Sequence, residues 1–492
     1  MVFPCAMRRG PLHAYAPDFA ALVAIFSIAT LVLVTWRAGG LAQRRLHHDA
    51  LADGGAADEP ESTASADVDS AELDASASTP ATHHPRTYNL VLITVDTLRA
   101  DVGFAGYPRP VSPNIDALAA RSVVYEHAYA TASFTPKCLG PLMIGRYSSE
   151  LHRDYAHYTH FAPANVFLAE RVQAAGGRTA GAASHRYFGW RKGFDQGLDV
   201  WDTSAIPPKS VDNDPTITSE TLTDVGIALL SSARAHDIPM RDGKPAVTKA
   251  RTGPAKDRFF VWIHYLDPHL PYVPHEGAPR FATMPGHGIP RERAPYDAEV
   301  WFTDRQIGRL LRHIAEQPWA TETAIILTAD HGEAFGEHGH WGHGRELWEP
   351  LVHVPLLLFV PGVEPRRIEA KRSHIDIVPT ALELMGVPPD RDLHGKSLLA
   401  DLEHAPREVE ERDVYIDMPD GPFNEMRRAV LTGPSPGIKL IDFGSNRYEL
   451  YDLRFDPHET KNLASSDTTQ LRAAKEAMAK IRGSLKEIPP VK

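Results

Sequence analysis

Cysteine is almost missing from this chain: Cys5 and Cys138 are the only two in 492 residues. An apolar run separates them, so no disulfide can close inside one folded domain. Positive charge is also in short supply, with 52 Lys and Arg against 63 Asp and Glu and a net charge of -11. No basic stripe offsets that balance, which argues against a nucleic-acid partner. No internal repeat is present, which excludes solenoid and propeller architectures. From Asp49 to Pro85 there is no Lys or Arg at all, while nine acids are scattered among Ala, Ser, Thr and Gly. Such a segment cannot bury enough apolar surface to offset its chain entropy, so residues 49–86 are expected to form a flexible, self-repelling linker.

One uncharged, mostly apolar stretch stands out, Phe19 to Trp36, 18 residues long. As a helix it would extend about 27 Å, close to the hydrocarbon thickness of a bilayer. It exceeds the usual signal-peptide core, and Arg37, Arg44 and Arg45 follow it without a small-residue cleavage site. It reads as a membrane anchor behind a tail at 1–18. Arg8 and Arg9 precede the span, so the positive-inside rule leaves its orientation open. The downstream domain is placed outside the cytoplasm by analogy with exported, tethered enzymes.

The remainder, with the chain at 43% hydrophobic residues, suffices for one large α/β domain (87–410) and a smaller appendage (411–492). Apolar runs are expected as strands at Asn89 to Val95, Thr179 to Ala183, Phe259 to His264, Ala324 to Asp330 and Leu356 to Val360. Helices are expected from Ser112, as cap with Pro113 at the first helical position, and over Asn165 to Ala175. Alternating strands and helices mean a mostly parallel sheet flanked by helices. Residues 206–256 are rich in Pro, charge and polar groups around one short helical patch and are expected as an insertion. The appendage should be α+β, with strands at Gly437 to Phe443 and Tyr448 to Leu453 and a helix from Thr468 to Lys486.

Chemistry concentrates where two of those strands end. The run Ala324-Ile325-Ile326-Leu327 leads into Asp330-His331-Gly332-Glu333, and the first strand leads into Asp96. Open α/β sheets keep their sites at the carboxyl ends of strands, where sheet packing can bring Asp96 beside Asp330 and His331. Two acids and an imidazole form a mixed oxygen and nitrogen ligand set for a divalent cation.

These residues resemble the sulfatase-like members of the alkaline phosphatase superfamily, over nearly all of Tyr88 to Leu463. The resemblance rests on Val95-Asp96-Thr97-Leu98-Arg99, Ser112-Pro113-Asn114-Ile115-Asp116, Asp330-His331-Gly332-Glu333 and Ser373-His374-Ile375-Asp376. The late segment Glu449-Leu450-Tyr451-Asp452-Leu453 is similar to the family's C-terminal subdomain. The resemblance implies an alkaline-phosphatase-like fold and a metal held by Asp96, Asp330, His331 and Thr135. Relatives often carry a second acid beside the first, and here that neighbour is Thr97. The lower charge favours Zn²⁺ or Mn²⁺ over Ca²⁺.

Sulfatases proper carry Cys-x-Pro-x-Arg, whose Cys becomes formylglycine. Cys138 is followed by Leu139-Gly140-Pro141-Leu142, which lacks that pattern, so no formylglycine is expected. Gly145 resembles the glycine that ends the family's nucleophile helix, and counting back from it the resemblance implies Thr135 at the nucleophile position. Pro136 would suit the first position of a helix and make Thr135 its cap, facing the attacked anion with free N-H groups. The resemblance further points to His269, in His264-Tyr265-Leu266-Asp267-Pro268-His269, and to His343, near where many sulfatases place a substrate-binding Lys, as groups acting on the leaving oxygen. Arg99, Lys137, His185 and His264 are candidates for the substrate's non-bridging oxygens. His338 and His340 either build a second metal site or order their glycine-rich loop, and Tyr272, Trp341 and Trp348 either line the pocket or pack. The first reading is a hydrolase of sulfate, phosphate or phosphonate esters of a small molecule, glycan or lipid. Transfer of a phosphoryl-linked head group ranks second, and a non-catalytic binding protein third.

Overall fold

The computed structural model describes residues 87–155, 160–188, 193–207, 216–232, 252–284, 289–406 and 408–491. The expected tail, apolar run and acidic linker lie outside the described residues, as do 208–215 and 233–251 of the expected insertion. Among the described residues, no helix is long and apolar enough to cross a membrane.

All seven residues of the first strand, β1 (Asn89–Val95), are buried. A strand buried on both faces must be covered on both, which places it inside a sheet lined by helices. The other strands of that sheet are β2 (Val123–Tyr125), β3 (Arg178–Ala183), β4 (Val200–Asp202), β5 (Phe259–Tyr265), β6 (Thr323–Ala329), β7 (Leu356–Phe359) and β8 (Arg366–Ile368). Their spatial order is β8-β2-β7-β6-β1-β5-β3-β4. β1 runs parallel to both β5 and β6, and β3 runs parallel to β5 and β4. Only β7 runs against its neighbours β6 and β2. The sheet is therefore mixed but mostly parallel, as its pattern of elements implied.

Alternation along β1 builds two cores. Val91, Ile93 and Val95 pack with α1 (Pro113–Ala119), α4 (Ser219–Ser232) and α5 (Ala294–Ala315). Leu90 and Leu92 pack on the opposite face with α2 (Thr135–Ile144), α3 (Leu168–Ala174) and α6 (Ile377–Leu384). A second sheet holds β9 (Val414–Met418), β10 (Arg427–Thr432), β11 (Ile438–Asp442) and β12 (Tyr448–Asp452) as an antiparallel meander. Tyr415, Val430, Leu440 and Leu450 of that sheet are buried with Ala474 and Met478 of α7 (Thr468–Ser484).

The 22-residue helix α5 escaped the sequence pattern for a physical reason. Its buried face carries Asp297, Glu299, Asp304 and Gln306 among the apolar residues, so the apolar stripe is interrupted. Each of those acids has a partner. Asp297 Oδ2 lies 2.6 Å from Arg109 Nη1, Glu299 pairs with His275, and Asp304 reaches α1. There it replaces the expected cap: the N-H groups of Asn114 and Ile115 donate to Asp304 at 3.0 and 2.8 Å. Ser112 caps nothing; its hydroxyl accepts from the Gly103 N-H and donates to Asp116.

Removing this long-range cap by Asp304→Ala orphans buried N-H groups and is expected to cost about 2–3 kcal/mol, read as an earlier denaturant midpoint. Burial lifts the Asp304 carboxyl to about 6. The folded state therefore holds this proton more tightly than the unfolded chain, and ionisation costs stability as pH rises from about 4 to about 6. Across that window the wild type should lose stability relative to Asp304→Asn, and a constant difference between the two would contradict the assignment.

Candidate metal centre and active site

Four adjacent parallel strands, β6, β1, β5 and β3, deliver the site from one edge of the sheet. Val95 is in register with Ala329 on one side and Tyr265 on the other. The next residues, Asp96 and Asp330, are thus forced together although they are far apart in the chain.

The two carboxylates and the adjoining imidazole are buried, and one ligand atom from each of Asp96, Asp330 and His331 lies within 4.8 Å of the others. The His331 Nδ1-H donates to the Gly332 carbonyl at 2.9 Å, which leaves the Nε2 lone pair facing Asp330 Oδ2 at 3.5 Å and Asp96 Oδ1 at 3.8 Å. Asp330 Oδ1 accepts from the N-H groups of Thr97 and His331 at 3.1 and 2.7 Å. Asp330 Oδ2 and Asp96 Oδ1 have no hydrogen-bond partner. Burial, and then the charge of Asp96, push the Asp330 carboxyl well above the ordinary range. Burial also opposes ionisation of Asp96, but contact with His264 and the surrounding imidazoles hold it below that range. Burial drops His331 to about 3, so it is a neutral donor. Two orphaned acceptor oxygens beside a neutral imidazole nitrogen fit a divalent cation, held by Asp96, Asp330 and His331.

Thr135 completes the cluster. Its Oγ1 is 3.2 Å from His331 Nε2 and 3.5 Å from Asp96 Oδ2. It is the first residue of α2, not its cap; Phe134 occupies that position and no side chain caps the helix. The hydroxyl is turned to the carboxylates, and the turn that sets Asp96 is strained, since β-branched Thr97 sits at φ 57. A non-glycine residue there costs on the order of 1–3 kcal/mol.

His264 enters from β5. Its Nδ1 shares a proton with Thr94 Oγ1 at 2.8 Å, and Trp262 Nε1 donates to the same hydroxyl at 2.9 Å. His264 Nε2 is unpartnered, 3.6 Å from Asp96 Oδ2. His331, His343, His269 and His185 then follow in a row, with successive ring centroids 4.5, 4.9 and 5.7 Å apart. The His269 Nδ1-H donates to the Leu270 carbonyl at 2.7 Å, and burial lowers its pKa. Burial likewise takes His185 to about 3, and its Nδ1 accepts from the Tyr187 N-H at 3.3 Å. His343 is different. Burial alone would lower it, but the Glu333 carboxylate, 3.1 Å from its Nδ1, raises it instead.

Glu333 is the group whose role the sequence did not disclose. It is fully buried, binds His343, and accepts from the Tyr272 hydroxyl at 3.2 Å. Its signal was its place two residues after His331. Arg99 and Lys137 are engaged elsewhere. The Arg99 guanidinium donates to the Glu333 carbonyl at 2.6 Å and to Glu337 and Asp101. Lys137 Nζ donates to the Pro419 carbonyl and Asn424 Oδ1 at 2.7 and 2.6 Å. Cys138 is buried in the core, and burial drives its thiol pKa well up. His338 stacks on Trp348 at 4.4 Å and faces Glu459. Among the described residues, the one cluster suited to a metal is that of Asp96, Asp330 and His331, so His338 and His340 join no second centre.

A mostly parallel sheet with a carboxylate pair at its strand ends and a hydroxyl at a helix start defines an alkaline-phosphatase-like α/β protein. The structure of a protein in complex with its substrate D-glucosamine-2-N,6-O-disulfate superposes with a TM-score of 0.63 at 18% identity, covering 81% of this chain and 98% of that one. The phosphonate monoester hydrolase of Agrobacterium radiobacter gives 0.59 at 21% identity, covering 80% and 95%. Residues 88–387 match the Sulfatase family model, and the chain belongs to that family. Residues 336–486 match the model for the C-terminal part of N-sulphoglucosamine sulphohydrolase. Mouse arylsulfatase K is 30% identical over 182 residues, covering 35% of this chain and 32% of that protein. The chain spans about a third of the length of such curated relatives.

If the carboxylate pair holds a cation, the protein should bind one Zn²⁺ or Mn²⁺ per chain and unfold at higher temperature with added metal. Asp330→Asn should abolish both effects, as measured by elemental analysis and thermal unfolding.

Proposed function

We propose that this protein is a metal-dependent hydrolase of sulfuric, phosphoric or phosphonic esters in which Thr135 is the nucleophile. The observation that carries the reading is the Thr135 hydroxyl at the start of α2, within 3.5 Å of both Asp96 and His331. A bound cation supplies charge neutralisation and lowers the hydroxyl pKa. Thr135 opens α2 and so lies at the positive end of the helix dipole, which favours an anion there. Thr135 displaces the alcohol, and water then releases the acid from the enzyme. His343, with its Nδ1-H on Glu333, keeps its other nitrogen for the departing oxygen. His269, with its Nδ1-H on Leu270, presents a neutral imidazole beside it. In the same reading, the apolar run 19–36 tethers the catalytic domain outside the cytoplasm.

The test is a panel of aryl sulfate, phosphate monoester, phosphate diester and phosphonate ester, assayed with Zn²⁺ or Mn²⁺. Thr135→Ala should lose at least 10³-fold in kcat, while Cys138→Ala should stay within a few-fold. The reverse pattern would move the nucleophile to the cysteine and overturn the reading. His343→Ala should slow esters of poor leaving groups by about 10²–10⁴ and 4-nitrophenyl esters far less. An equal loss on both would remove His343 from proton transfer.

A further inference from the structure

The ladder between β3 and β5 ends at Ala183 and His264, and two histidine loops start just beyond it. Ser184 and His185 leave β3, while Asp267 and His269 follow β5. The His185 and His269 rings lie 5.7 Å apart, centroid to centroid. What joins their loops comes from a third place, the first turn of α4. The Thr218 carbonyl accepts from the Leu222 N-H at 2.9 Å, which makes Thr218 the residue that opens that helix. A Thr in that position ordinarily turns its hydroxyl back on the N-H groups of its own first turn. Here the Thr218 hydroxyl instead donates to Asp267 Oδ1 at 2.6 Å and reaches Ser184 Oγ at 3.0 Å.

Asp267 caps the helix in its place. Its Oδ1 accepts from the Thr218 N-H at 2.8 Å and its Oδ2 from the Ser219 N-H at 2.9 Å. Ser184, Thr218, Ser219 and Asp267 are all buried, where a low dielectric strengthens such bonds. The helix behind them is itself held: the Thr223 hydroxyl lies 2.8 Å from the Tyr265 hydroxyl at the end of β5, and Ser219 Oγ lies 3.3 Å from Thr303 Oγ1 of α5. A cap for α4 needs only an acceptor for its first N-H groups. The contact between Thr218 and Ser184 satisfies none of them; it ties the β3 loop to the β5 loop.

We propose that Thr218 and Asp267 are positioning residues for His185 and His269: the first turn of α4 clasps the two loops and fixes the spacing of the imidazoles assigned to the substrate's oxygens. The assignment rests on the ester-hydrolase reading and concerns the geometry of that same site. Thr218 acts through Ser184 on the neighbouring His185, and through Asp267 on His269 two residues further along. A histidine on an untied loop samples many placements, and a misplacement of about 1 Å at a reacting centre costs on the order of 10²-fold in rate. The helical patch expected within the insertion is thereby part of the frame of the site.

The full-length protein is assayed with whichever ester of the panel above it turns over fastest. Thr218→Val, which keeps the shape and removes the hydroxyl, is expected to lower kcat/KM about 10- to 100-fold at unchanged metal content, and Thr218→Ser to restore it. A double-mutant cycle separates positioning from a merely structural role. In a background carrying both His185→Ala and His269→Ala, Thr218→Val should cost less than about twofold further, because the clasp then has no imidazole to place. A loss of the same size in both backgrounds, or no loss in the wild-type background, would overturn the proposal. Ser184→Ala is a smaller change that serves if Thr218→Val does not fold, and it should show the same non-additivity with His185→Ala. If the wild type turns over no ester, or the histidine-free background is too slow to measure, crystal structures of the wild type and of Thr218→Val or Ser184→Ala decide. Displaced or doubled His185 and His269 rings support the clasp, and unmoved rings overturn it. Thr135→Ala with full activity beside a non-additive Thr218 effect would sink the nucleophile and leave the clasp standing.

Discussion

Two carboxylates buried side by side, Asp96 and Asp330, are the constraint around which the catalytic half is arranged. Like charges in a dry site cannot both ionise without compensation, and unpaired burial costs several kcal/mol per ion. The structure compensates Asp330 on one oxygen with two backbone N-H groups and leaves one oxygen of each acid open. That pattern suits a cation and little else. The cost extends into the backbone, because Thr97 must adopt φ 57 to point its N-H at Asp330. The turn is braced from outside: the Tyr296 hydroxyl of α5 donates to the Thr97 carbonyl and accepts from the Arg99 N-H, both at 2.9 Å.

The parts of this arrangement legible in the sequence were those with a short-range signature. A buried strand ending in an acid can be read twice, at Asp96 and at Asp330, and the sheet register then does the rest. Thr135 was legible as a position but not as a geometry, since an N-cap and an active hydroxyl use the same residue types. The sequence does not show its neighbours in space, Asp96 and His331. Arg99 and Lys137 show the opposite failure. A cation near a catalytic motif suggests an anion partner, yet the groups that engage them, Glu337 and the Glu333 carbonyl for one, Pro419 and Asn424 for the other, arrive from distant segments. No window of sequence contains those pairings. The same holds for α5, whose inward acids are satisfied only by Arg109, His275 and the start of α1.

Glu333 shows why the loop after β6 must be considered with the second sheet. The chain segment from 333 to 346 is fixed at one end by Glu333 on His343 and Tyr272 and in its middle by Glu337 on Arg99. At its far end Glu346 meets Ser133 and Arg427. The loop bearing His343 is thus suspended between the turn that precedes Thr135 and β10 of the second sheet. Buried ionic contacts of this kind fix geometry more than they add stability, because desolvation consumes most of their attraction. The match to the C-terminal family model begins at residue 336, inside this loop and well before the second sheet starts at Val414. That boundary agrees with the physics: the loop bearing His343 and the meander that anchors it form one mechanical unit. The hairpin of β9 and β10 therefore bears on the His343 loop through Glu346 and Arg427, and on α2 through Lys137.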